Sequence, residues 1–151
     1  MQLKVKRLDK GMPMPRYAKK GDAGFDLRAT EDVTVMPGRT ELVGTGLAFE
    51  IPEGYFGLVA PRSGLGSKYG LTLANTPSVI DSGYRGEVKL ALHKLAPMDF
   101  DDLLGVGYLV ERGERVAQML ILPVAACEFV EVDELEGTER GAGGFGSTGV
   151  I

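Results

Sequence analysis

The chain has 151 residues, 44% of them hydrophobic and 25% charged, which predicts one globular domain with a substantial core and excludes a disordered tail or a membrane span. Its formal charge of −4 excludes a broad basic face, so no nucleic-acid partner is expected, whereas a small anion needs only a local cluster of arginines. Met1 to Lys10 alternates apolar and basic residues instead of presenting the apolar run of a secretory signal, so a cytoplasmic protein with no membrane partner is expected.

Glycine occurs 22 times, about twice its ordinary share of ~7%, and predicts many short strands joined by turns. In chain order, Leu3 and Val5 alternate with Gln2, Lys4 and Lys6, and Val33 and Val35 alternate with Thr34 and Met36, the period of half-wet strands. Further strands are predicted over residues 40–43, 48–51, 55–60, 71–74, 86–93, 116–124 and 128–132. Pro37-Gly38, Pro52-Glu53-Gly54 and Asn75-Thr76-Pro77-Ser78 punctuate them. Short helical pieces are expected only over 63–68 and 100–104. Strand number and turn frequency together predict an all-β sandwich or jelly roll.

Val116 to Leu122 is apolar on both alternating faces except at Gln118, which predicts a strand whose second cover comes from a subunit interface. Gln118 must then find hydrogen-bond partners. Cys127 is the single cysteine, so no internal disulfide is available, and beside Phe129 and Val130 it reads as a buried structural thiol. Residues 1–136 are read as the core and 137–151, glycine-rich around Phe145, as a flexible arm that orders on a ligand. His93, the only histidine, shares strand parity with Lys89 and Ala91 and is expected to serve packing or surface rather than proton transfer.

Three segments carry chemistry. Gly141 to Gly146 matches G-x-G-x-x-G literally, but no βαβ unit surrounds it and no helix can follow, so it is not a dinucleotide fingerprint. Flanked by Arg140, Ser147 and Thr148, it has the donors for an anion instead. Pro61 to Ser67 offers Arg62, hydroxyls and glycines, which suit phosphate or an ordinary surface turn. Between Asn75 and Lys89, the run Asp81-Ser82-Gly83-Tyr84-Arg85-Gly86 crowds a carboxylate, an aromatic ring and a guanidinium.

Five stretches, in order, resemble the five motifs of trimeric dUTPases: Ala23 to Leu27, Pro61 to Leu65, Val79 to Gly86, Gly113 to Gln118 and Arg140 to Gly149. They span nearly the whole chain. The resemblance implies a jelly-roll subunit, a homotrimer whose sites draw on more than one chain, and hydrolysis of dUTP to dUMP and pyrophosphate with Mg2+. It implies that the arm closes over a neighbour's site and that the doubly apolar strand faces the threefold core.

By the same resemblance, Asp81 orients and deprotonates the attacking water, since a carboxylate only accepts hydrogen bonds. Arg62, Ser63 and Gly64 hold phosphates, and Gln118 reaches the α-phosphate region. Asn75 and the backbone of Val79, Ile80 and Lys89 read uracil, with Tyr84 against the deoxyribose. Phe145 stacks on the base while Arg140, Gly146, Ser147 and Thr148 close on the outer phosphates. Asp26 is either a carboxylate reaching magnesium through water or a turn residue. Arg115 has two readings, a phosphate contact and an ion pair with the arm.

Two departures stand out. Ser78 occupies a position where relatives commonly have glycine, so the hairpin is shaped differently if that site needs positive φ. Lys94 to Glu111 exceeds the usual connection by roughly eight residues and is either an additional protein contact or a tolerated insertion. A dCTP deaminase and a regulatory trimer without turnover are the rival readings. The Asp81 and Tyr84 hairpin and the full arm favour the dUTPase.

Overall fold

The computed structural model describes residues 1–95 and 104–144. Within them the order is β1 (Lys4–Arg7), β2 (Gly24–Arg28), β3 (Val33–Val35), β4 (Thr40–Gly44), β5 (Leu47–Glu50), β6 (Tyr55–Pro61), α1 (Ser63–Tyr69), β7 (Leu71–Leu73), β8 (Ser78–Ile80), β9 (Lys89–Lys94), β10 (Tyr108–Val110) and β11 (Arg115–Pro123). No helix among the described residues is long and apolar enough to cross a membrane.

The strands form a four-stranded sheet in the order β2-β11-β6-β8, a three-stranded sheet β4-β9-β7, and the pairs β1-β5 and β10-β3, all antiparallel. Alternation sends one face of each strand inward. Leu27, Val59 and Met119 of the larger sheet join Val43, Leu71, Leu90 and Leu92 of the smaller, with Val35, Phe49 and Val110 from the two pairs, in one buried cluster. This is an all-β, jelly-roll-like sandwich, as the strand spacing predicted.

The outer face of the four-stranded sheet is also apolar. Register places Leu120 opposite Leu58 and Leu122 opposite Phe56 on β6, and Leu58 opposite Val79 on β8. These side chains are half-buried or, at Val79, exposed. Gln118, opposite Ala60, is the polar member of this face on β11, and it donates Nε2 to the Pro61 carbonyl at 3.2 Å.

The helical piece expected at 63–68 is α1. It stops because Gly70 adopts φ 61, a left-handed conformation that costs glycine little, and its N–H returns to the Gly66 carbonyl at 3.1 Å. Three strands went unpredicted: β2 lies inside a motif read for chemistry, β8 inside the hairpin, and β10 inside the 94–111 connection. The piece expected over 100–104 lies outside the described residues except Leu104, which sits in an exposed turn. The strand expected over 86–93 begins at Lys89, because Gly86 and Glu87 are shaped around the Tyr84 ring.

Two expectations are corrected beyond β11. Glu128–Val132 is not a strand, and Cys127 is exposed, not a buried thiol. The physical reason is shared: the chain leaves the core at Pro123, residues 124–142 are all exposed, and an extended segment needs a neighbouring strand to satisfy its backbone. Phe129 is 96% exposed and Leu135 88%, apolar groups that their own subunit does not cover.

Candidate functional site

Two cavities collect most of the predicted site residues. They share no lining residue.

The first, about 270 Å³, is lined by Val79, Ile80, Asp81, Tyr84, Glu87, Val88 and Lys89. β8 delivers Val79 and Ile80 by pairing with β6, and the chain then turns through Tyr84 N–H donating to the Asp81 carbonyl at 3.1 Å. Tyr84 is fixed by its hydroxyl, which donates to the Glu87 carbonyl at 2.9 Å. A Cβ at Gly86 would stand 2.5 Å from that hydroxyl, so the ring lies where only glycine admits it. Arg85 points elsewhere, its Nη1 donating to the Ser82 carbonyl at 2.6 Å and the Tyr84 carbonyl at 3.0 Å. The Asp81 carboxylate is left exposed at the rim.

The second cavity, about 340 Å³, is lined by Ala18, Asp22, Ala23, Gly24, Asp26, Arg62, Ser63, Gly64, Arg115 and Gln118. β2 and β11 supply Gly24, Asp26, Arg115 and Gln118, and β6 leads directly into Arg62 and the start of α1. Register sets Asp26 of β2 opposite Gln118 of β11, and Gln118 opposite Ala60 of β6, two residues before Arg62. Asp26 Oδ1 pairs with Arg62 Nε at 3.1 Å and Oδ2 with Arg115 Nη1 at 3.3 Å. Arg62 also donates Nη1 to the Arg115 carbonyl at 3.0 Å. One carboxylate thus aims two guanidiniums with donors to spare at the same space, an arrangement suited to a polyanion.

Register also measures the distance between the cavities. Ile80 pairs with Gly57, so Asp81 falls beside Phe56, whereas Arg62 lies six residues further on, immediately past the end of β6, about 20 Å away at the rise of extended chain. One chain keeps the Asp81 carboxylate and the Arg62 guanidinium apart.

Several predicted residues are placed differently from the rest. Asn75 is exposed in the turn before β8, where its carbonyl accepts the Ser78 hydroxyl at 3.1 Å, and it lines neither cavity. Ser78 itself opens β8 opposite Val59, in extended backbone open to any side chain. Arg140 sits in an exposed turn with Nε donating to the Gly143 carbonyl at 3.1 Å. Phe145, Gly146, Ser147 and Thr148 lie outside the described residues. His93 packs by its Nδ1, 2.9 Å from the Thr40 hydroxyl. Of the two readings of Arg115, the ion pair is made, but with Asp26 instead of the arm. Sequence reasoning missed Glu87 and Asp22. Each directly adjoins a quoted motif, and adjacency was the available signal.

The chain is thus an antiparallel jelly roll with a guanidinium-lined cavity at one strand end and a carboxylate and a tyrosine at another. The sequence profile of the dUTPase family matches residues 10–149. The deoxyuridine 5'-triphosphate nucleotidohydrolase of Nautilia profundicola is 50% identical over 149 residues, covering 99% of both chains. That of Corynebacterium efficiens is 48% identical over 147 residues, covering 97% of this chain and 77% of the relative. Among solved structures, the dUTPase of Staphylococcus bacteriophage 80alpha with dUPNHPP superposes with a TM-score of 0.88 at 35% identity, covering 99% of both chains. A variant dUTPase from phage phi11 of S. aureus, described for its coordination of a structural Mg(II) ion, gives 0.79 at 28% identity, covering 89% of this chain and 98% of that one. This chain belongs to the dUTPase family.

Proposed function

We propose that the chain hydrolyses dUTP to dUMP and pyrophosphate at sites assembled between the subunits of a homotrimer, drawing on the cytoplasmic nucleotide pool. The observation that carries this reading is the separation of the two cavities. In a nucleotide the α-phosphate adjoins its own sugar, so Asp81 and Arg62 of one chain cannot reach the same phosphate across about 20 Å. Two chains can, if the hairpin of one meets the arginine cavity of the next.

Two surfaces favour such an assembly. The apolar outer face of Phe56, Leu58, Val79, Leu120 and Leu122 needs cover. The exposed segment carrying Phe129 and Leu135 is long enough to leave its own subunit, and residues 137–151 then act as the arm, bringing Arg140, Phe145, Gly146, Ser147 and Thr148 to a neighbour's nucleotide.

In this reading Val79, Ile80 and Lys89 present backbone groups to uracil, with Asn75 at the hairpin turn, and the Tyr84 ring fills the space a ribose 2′-hydroxyl would need. Arg62, Ser63, Gly64 and Gln118 take the phosphates. Asp81 accepts hydrogen bonds from a water, orients it in line with the α-phosphorus and takes its proton as the P–O bond forms. The bond to the bridging oxygen breaks and pyrophosphate leaves.

Magnesium fits the donor set in one way. Among the described residues no three histidine, cysteine or acidic groups cluster; Asp26, which lines the arginine cavity, is the carboxylate that would face a phosphate-bound ion through water. When bound it neutralises phosphate charge.

The test is incubation with dUTP, dCTP, dTTP and UTP, with and without magnesium, followed by ion-exchange separation. Monophosphate and pyrophosphate from dUTP alone support the reading, whereas a uracil nucleotide from dCTP moves it to deamination. A second role rests on Leu104, Val106 and Leu109, exposed apolar residues in the 94–111 connection. The phage 80alpha relative belongs to dUTPases described as controlling transfer of virulence genes, and an added protein contact through this connection fits that pattern.

A further inference from the structure

The connection between Lys94 and Glu111 touches the fold at both of its ends, and each end bears on α1, the helix that follows Arg62. α1 has no side-chain cap at its start; it is held there by the buried Leu65 and by the contacts of Arg62, and at its far end by the groups described next. Lys94 is buried at 4% exposure and donates Nζ to the Tyr69 carbonyl, in the last turn of α1, at 2.7 Å. The Tyr69 ring packs on Tyr108 with centroids 5.0 Å apart. Tyr108 donates its hydroxyl to Glu114 Oε1 at 2.6 Å, and Glu114 Oε2 accepts the Glu111 N–H at 3.2 Å.

The next residue is Arg115, whose carbonyl accepts Arg62 Nη1 at 3.0 Å and whose guanidinium pairs with Asp26. The contacts therefore close a ring: Arg62, α1, Tyr69, Tyr108, Glu114, Arg115 and back to Arg62. Both phosphate-facing guanidiniums lie on it.

We propose that Tyr108 is a positioning residue for the phosphate cavity, its hydroxyl bond to Glu114 and ring contact with Tyr69 fixing the spacing between Arg62 and Arg115. Tyr108 touches no reacting atom. It joins the element bearing one arginine to the strand bearing the other, so the end of the long connection belongs to the phosphate-binding apparatus. Burial and the Glu114 carboxylate both push the phenol's pKa up, so Tyr108 stays a donor throughout any working range of pH. A charge-assisted bond of this length is among the stronger kinds available to a side chain.

The inference rests on the dUTPase reading for its substrate, but its test uses inorganic triphosphate, which engages the arginine cavity without the base-reading hairpin. Calorimetry with Tyr108→Phe, which keeps the ring and removes the hydroxyl, is expected to give triphosphate affinity weaker by on the order of 10-fold, with dUMP affinity lowered less. Glu114→Ala should weaken triphosphate to the same degree, the double variant should add little, and Glu114→Gln, which keeps an acceptor, should restore most of the loss. A purely structural role predicts lower Tm with the two affinities falling together. Triphosphate binding within twofold of wild type in Tyr108→Phe and Glu114→Ala would overturn the proposal. So would a double variant whose loss is the full sum of the single losses. Wild-type protein that binds triphosphate but fails to cleave dUTP would instead count against the dUTPase reading alone.

Discussion

Asp26 holds Arg62 by a single contact, Oδ1 to Nε at 3.1 Å, which leaves the outer nitrogens of that guanidinium to the Arg115 carbonyl and the cavity. The same carboxylate links both guanidiniums of this cavity, because its other oxygen restrains Arg115. Asp26→Asn keeps the shape and removes the charge. Partly exposed ion pairs contribute about 1 kcal/mol or less each, so thermal unfolding should shift by only a few degrees. Turnover depends on aim, and kcat/KM for dUTP is expected to fall by roughly 10- to 100-fold. Steady-state kinetics beside calorimetry check this, and unchanged kinetics would remove Asp26 from the site.

Asp81 stands at the rim of its cavity, exposed and positioned by the turn that follows β8. Its proposed work is on the water and not on the nucleotide, so Asp81→Asn should separate binding from chemistry. We expect kcat to drop by about 10²- to 10⁴-fold while a non-hydrolysable dUTP analogue binds within a few-fold of wild type. Loss of analogue binding with kcat retained would assign Asp81 to recognition.

The core strands were legible because their side chains alternate against a single core: Leu90 and Leu92 on β9 are buried, with Lys89 and Ala91 turned away. The double apolarity of Val116 to Leu122 was legible too, and register gives it partners in Leu58 and Phe56. Glu128–Val132 misled because β propensity states what a segment can pair with, and its own chain offers it no edge. Arg115 and Asp26 were individually visible as charged motif residues, but their pairing was not. The pairing arises from the antiparallel alignment of β2 and β11 and its bulge between Arg115 and Ala117, and sequence spacing does not encode that alignment. The ring through Tyr69 and Tyr108 was hidden for the same reason.

The separation of the two cavities gives a prediction that needs no structure of the assembly. Asp81→Ala damages one cavity and Arg62→Ala the other, so in the proposed trimer each variant alone should be inactive. Co-refolded in equal amounts, the two variants should regain activity, because some sites then combine an intact hairpin from one chain with an intact arginine cavity from another. Random assortment gives about one quarter of wild-type activity when two chains contribute to each site. A mixture as inactive as its components would mean that both residues act within one chain.

Arg112 anchors the turn before β11 by pairing Nη2 with Asp9 Oδ2 at 2.7 Å, and it also donates to the Thr30 carbonyl. The hydrogen bond from Arg112 holds the Asp9 carboxyl below its ordinary 3.8, helped by the Gly11 N–H. A depressed folded-state pKa contributes stability above the unfolded value and loses it as pH falls through the folded value. The Tm difference between wild type and Asp9→Asn should therefore be present at pH 7, shrink below 3.8 and vanish once the folded-state carboxyl is protonated. A difference that does not change with pH would assign the effect to packing.

Leu58 sits at the middle of the apolar outer face, opposite Leu120 on one side and Val79 on the other, and it is only half-buried in the isolated subunit. Its inward neighbours Gly57 and Val59 belong to the core, so a change at Leu58 tests the outer face without emptying the inner one. Leu58→Lys places a charge where the proposed trimer would bury it, and an unpaired buried charge costs more than a contact of this size returns. Light scattering should report a trimer for wild type and a monomer for the variant at micromolar concentration, with circular dichroism unchanged and dUTP turnover lost. A variant that remains trimeric would place the subunit interface elsewhere. One that becomes monomeric yet keeps turnover would remove the argument that the two cavities must come from different chains.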